Sequence, residues 1–195
     1  SGEGEGEGHE GDGELTLTHL GIIASNIAEI HPLIISKLMI EYNYFEHFTT
    51  KQLIGLFSCF TDVKIPNDQK SSIPITDDEY LKQCIQKLEK HYLYYADYEL
   101  NNDIRTGICY DDEIMMDMIE FSMKWCDCDD ENECKYFIQN DVADKSISIG
   151  DFTKAMLKIV TITKELMNVC EIIGQMDLMF KLSKIEGFVL KYVTT

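Results

Sequence analysis

The sequence predicts an all-α protein, a helical bundle of about seven to eight helices ending in an antiparallel C-terminal helix pair. Three observations carry this expectation. Apolar residues recur in steps of three and four along most of the chain. Ser, Thr or Asp precede the candidate helices, and Pro32 suits a first helical position because its missing N–H has no partner there anyway. Turn-forming residues separate the periodic stretches, and no strand of consequence is expected.

The clearest element is Ser148–Gln175. Phe152, Met156, Ile159, Thr163, Leu166, Cys170 and Ile173 share one helical face, while Asp151, Lys154, Lys158, Thr161 and Glu165 form a polar stripe about half a turn away. Ser148 is the expected N-cap and Gly174 the left-handed C-terminal cap. Beyond it, Leu178, Leu182, Ile185, Val189 and Tyr192 repeat the seam and supply the second arm of the pair.

Residues 1–14 alternate Gly with acid and offer almost nothing to bury, so an acidic disordered tail or linker is expected, followed by one helical domain over 15–195. In that domain, Thr18 caps a helix carrying Leu20, Ile23, Ile27 and Ile30, which His31-Pro32 ends. The second helix runs from Pro32 through Leu33, Ile35, Leu38 and Met39, and Thr49 or Thr50 opens a third with Leu53, Leu56, Phe57 and Phe60 inside. Pro66, Asn67 and Pro74 make 62–76 the candidate internal hinge. Thr76–Glu79 has the capping-box pattern, leading into a long helix whose face is Leu81, Cys84, Ile85, Leu88, Tyr92 and Tyr95 and whose end is near Asn101. Asp111–Glu113 should complement the dipole of the next helix, with Met115, Met118, Ile119, Ser122 and Cys126 buried and Trp125 anchoring neighbours. An acidic connection and a short helix through Tyr136–Ile138 follow.

Composition narrows the chemistry. The net charge is −18, and six acids lie in the first fourteen residues. A free-standing nucleic-acid binder needs a basic face, so any RNA contact must be local. No membrane span or leader is evident, and seven scattered cysteines fit reduced thiols, so an intracellular protein of nucleus or cytoplasm, not secreted, is expected. Cys126, Cys128 and Cys134 tempt a zinc reading, but paired knuckles or matching histidines are missing; Asn132 and Ile138 stand where a calcium loop would need Gly and Glu. No metal site is assigned. Tyr92, Tyr94, Tyr95 and Tyr98 could stack bases, yet with acidic neighbours, packing with a wet hydroxyl is their ordinary use. No P-loop motif, DExH tetrad or nucleophile–base grouping is present, so no catalytic residue is assigned.

Several blocks resemble one family in order and spacing. They are Leu17–Ala28 (LTHLGIIASNIA), Leu53–Phe60 (LIGLFSCF), Met116–Cys126 ending in Lys-Trp-Cys, and the pair Gly150–Lys158 and Lys164–Gln175. Together they resemble the DSHCT domain, the C-terminal helical module of exosome-cofactor DExH-box RNA helicases. The resemblance implies an accessory domain that packs on an ATPase core and helps line the RNA path in RNA processing or decay. ATP and magnesium would belong to that core, and an exosome-like complex would be a further partner. It also implies RNA contact at Lys158, where the family carries an arginine, with Lys154 one turn before it. The acidic residue used across the family's channel has no assigned counterpart in Thr61–Lys64. The alternative from another class is an acidic helical adaptor or scaffold that meets a basic protein partner and has no RNA role.

Overall fold

The computed structural model describes residues 18–110 and 114–192. Its regular elements are all helical among the described residues: α1 (His19–Ser25), α2 (Pro32–Glu41), α3 (Thr50–Ser58), α4 (Glu79–Asn101), α5 (Ile119–Asp127), α6 (Glu131–Phe137), α7 (Ile149–Ile173), α8 (Met176–Leu182) and α9 (Ile185–Val189). A π turn, Ile138–Val142, continues α6.

Helix starts follow the side-chain chemistry. Thr18 Oγ1 accepts from the Gly21 N–H, and Ser148 Oγ from that of Asp151, each satisfying an N–H that the helix leaves without an internal partner. Thr49 and Gln52 form a reciprocal capping box at α3. At α4 the cap is Asp78 rather than Thr76. Thr76 Oγ1 accepts from the Asp78 N–H two residues on, which turns the chain so that the Asp78 carboxylate meets the Leu81 N–H. α1 is shorter than its apolar spacing suggested: Asn26 Nδ2 donates back to the Ile22 carbonyl at 2.8 Å and closes the helix. Ile27 and Ile30 are buried from the connecting loop instead. The expected role of Asp111–Glu113 falls outside the described residues, and since α5 begins at Ile119, Met115 and Met118 reach the core from the preceding turn.

α3 occupies the centre, packed against α4, α5, α7, α8 and α9. Gly55 permits this: an added Cβ would lie 2.9 Å from Leu81 Cδ2 on α4 and 3.0 Å from Met123 Sδ on α5. Trp125 is fully buried, donates from Nε1 to the Val189 carbonyl at 2.9 Å, and meets Phe152 edge-on at 5.3 Å, so it joins α5, α7 and α9. Met115 N–H donates to Cys59 O and Ile75 N–H to Met116 O, which ties both ends of the long α3–α4 connection to the strap before α5. Asp117, missed in the sequence, is buried; it accepts from the Ser71 N–H at 3.0 Å, and its other oxygen lies 2.9 Å from Lys145 Nζ.

Gly174 adopts φ 73°, as a left-handed cap requires, and the chain then folds back along α7. Lys164 on α7 and Glu186 on α9 meet across this hairpin at 3.3 Å. The returning arm is two short helices, broken at Ser183-Lys184, with Leu178, Leu182, Ile185 and Val189 buried and Tyr192 exposed. Lys181 Nζ donates to the carbonyls of Phe45 (2.8 Å) and Glu46 (2.6 Å). It thereby holds the α2–α3 corner, where Asn43, Tyr44 and Phe45 all have positive φ.

Candidate nucleic-acid-facing surface

The outward face of α7 carries Lys154, Leu157, Thr161, Lys164 and Asn168, at the spacing that sets them in one line. Lys154 has no ion-pair partner among the described residues. Lys164 is shared with Glu186.

Lys158 stands beside this line and is engaged elsewhere. Its Nζ lies 2.6 Å from Glu29 Oε2 and donates to the Glu29 carbonyl at 3.0 Å. Seven residues along the same helix, Glu165 Oε1 accepts from the Glu29 N–H at 3.0 Å. Two turns of α7 therefore hold the backbone of one residue of the α1–α2 loop, Glu29, by its N–H and its carbonyl. Lys158 pairs with Glu29, because the loop supplies both a carboxylate and a carbonyl within reach. Of the two predicted contact residues, only Lys154 presents a charge with no ion-pair partner among the described residues.

Beyond this clasp lies a hollow of about 310 Å³ lined by Glu29, His31, Pro32 and the 107–109 loop. His31 caps α2, with Nδ1 accepting from the Ile34 N–H at 3.5 Å. Nε2 then donates to Tyr110 Oη at 3.1 Å, and Tyr110 donates to Glu99 Oε1 at 2.7 Å. Burial pushes the His31 pKa down, opposed by the nearby Glu99 charge. Hydrogen bonds from Thr106 and Tyr110 hold Glu99 below the usual carboxylate range. These groups join the ends of α2 and α4 to the 106–110 loop and offer no nucleophile.

The cysteine cluster is structural in its contacts. Cys126 Sγ donates to Ser122 O, and Lys191 Nζ donates to the carbonyls of Cys126 and Cys128. Burial pushes Cys126 up to about 12 and Cys128 up to about 11, which disfavours the thiolate that metal binding or nucleophilic attack needs. Among the described residues no group of three or more His, Cys, Asp or Glu side chains is placed to hold a metal ion, and no helix is long and apolar enough to cross a membrane.

Glu29, Asp117, Lys181 and Lys191 carry much of the polar wiring and had no sequence signal. Each acts on backbone or charge far along the chain, where local spacing is blind. Comparison with known proteins places the whole arrangement. No curated protein is significantly similar in sequence. The family profile of the DSHCT (NUC185) domain matches residues 14–193, nearly the full chain. With the helical bundle and the capped α7 hairpin described, the chain belongs to the DSHCT family, the C-terminal helical domain of Ski2-like helicases.

Proposed function

We propose that this domain serves an ATP-dependent RNA helicase by packing on its ATPase core and presenting the outer face of α7 to the RNA path. Its place would be RNA unwinding for exosome-type processing or decay, in nucleus or cytoplasm. Membership of the family implies association with a helicase core; the RNA path is the further step. The observation that supports it is Lys154, an ammonium with no ion-pair partner among the described residues, on the open face of α7 in a chain of net charge −18, followed along that face by Leu157, Thr161 and Lys164. One or two phosphates are the reach of such a face, so it would guide a strand without reading its sequence. ATP and magnesium would bind the core, since the chain has no P-loop motif.

Lys154→Glu in the complete helicase tests this. RNA-stimulated unwinding should weaken, and the salt dependence of RNA binding should fall by about one ion. Basal ATP hydrolysis and the melting of the domain should not change, because the residue is exposed and has no ion-pair partner among the described residues. Unwinding and salt dependence equal to the parent would remove α7 from the RNA path.

A further inference from the structure

The C-terminal part of α4 leaves a set of apolar side chains exposed. Its buried side chains, Leu81, Cys84, Ile85, Leu88 and Tyr92, all lie at or before Tyr92. The remaining stretch to Asn101 is roughly 13 Å of helix by the usual rise per residue. Apolar side chains nonetheless continue along it: Leu93 is 62% exposed and Leu100 80%, joined by Tyr94, Tyr98 and, just past the helix, Ile104. One side of this helix end packs on α2 and the 106–110 loop through Tyr95 and Glu99. A single exposed leucine on the other side needs no account, but several exposed apolar side chains together are the usual mark of an interaction surface.

The order of residues says what kind of partner fits. At 100° per residue, Leu93 and Leu100 fall on one side of Asp97, and Tyr94 and Tyr98 on the other. Asp97 is exposed and lies between two apolar pairs. Glu89, Asp97, Glu99 and Asp103 outnumber Lys90 and Arg105 over this end. Its aromatic side already holds a cation, since Lys37 Nζ sits 5.1 Å from the ring centres of both Tyr94 and Tyr95. The chain's own first seventeen residues are a poor occupant, with six acids and no Lys or Arg. A second copy would bring the same carboxylates face to face.

We propose that the α4 end, Leu93 to Ile104, docks a basic protein segment whose apolar side chains straddle an Arg or Lys that reaches Asp97. Apolar burial on both sides of the pair excludes water from it, and the acidic surround steers basic partners and repels acidic ones. The surface is on α4, not α7, and does not depend on the RNA reading.

The test uses the intact chain and a labelled amphipathic Leu/Arg helix of about sixteen residues, with an Arg-only peptide of equal charge and a Leu/Glu peptide alongside, near physiological salt. The Leu/Arg peptide should bind. Leu93→Ser with Leu100→Ser, and separately Asp97→Arg, should each weaken binding at least about tenfold, and bound peptide should slow amide exchange over 93–104. All three positions are exposed, so circular dichroism should show the variants folded. Absence of binding, equal binding by the variants, equal binding of the Arg-only peptide, or protection elsewhere would each overturn the proposal. So would self-association of the chain that the double serine variant abolishes.

Discussion

Lys158, the position that the family likeness marks for RNA contact, fastens the α1–α2 loop through Glu29. Its side chain is about one-third exposed, so the ion pair with Glu29 is partly screened. The bond to the Glu29 carbonyl adds a second tie. Lys158→Ala should cost about 1 kcal/mol in urea unfolding. Lys158→Glu should cost more, because three carboxylates would then share the clasp; a stability equal to the parent would show the clasp to be idle. His31 gives the residue scale its pH dependence. Folding holds its pKa below the ordinary 6.5, so between those values the unfolded chain carries a proton that the folded chain lacks. Stability should therefore be full at pH 7 and fall as pH drops below about 6.5. Glu41 and Glu99, held below 4.5, act only under more acid conditions. His31→Asn keeps a capping side chain and removes the titration, so its stability should be flatter from pH 7 to 5 than the parent's. An unchanged slope would place the sensitivity elsewhere.

At the scale of elements, α3 is the short helix that five others pack against, and Gly55 is where two of them come closest. Alanine is the better helix former by about 1 kcal/mol. Gly55→Ala should nevertheless destabilise by about 1–3 kcal/mol, since Leu81 and Met123 would have to move. Gly187 on α9 is the control: an added Cβ there meets nothing within 4 Å, so Gly187→Ala should be neutral or mildly stabilising. Thermal unfolding of the pair separates the packing effect from propensity. Equal melting of the two variants would mean that the α3 contacts relax without cost. The same element logic explains the broken returning arm. Its buried residues keep the helical seam, while the break at Ser183-Lys184 lets Lys181 face the α2–α3 corner and Val189 meet Trp125.

Across the whole molecule, one buried apolar cluster runs from Ile23 to Val189 without division. The α3–α4 connection that contains 62–76 is fastened at Cys59 and Ile75 by backbone hydrogen bonds and between them at Ser71 by Asp117. Urea unfolding should therefore be a single transition, with far- and near-ultraviolet circular dichroism coinciding. Two separated transitions would mean that the hinge expected at 62–76 divides two folding units.

Much of this fold was written locally. The caps Thr18, Thr49, Ser148 and Gly174, the first-turn Pro32 and the buried faces of α3, α4 and α7 follow from side-chain chemistry and helical period, which act over a few residues. The ordered blocks that carry the family likeness were legible for the same reason. What the sequence could not decide was the company each charged side chain keeps. Lys154 and Lys158 look alike on a helical wheel, one turn apart on the same stripe. Only the folded chain brings Glu29 to one and leaves the other open, because that choice depends on where a loop more than a hundred residues away comes to rest.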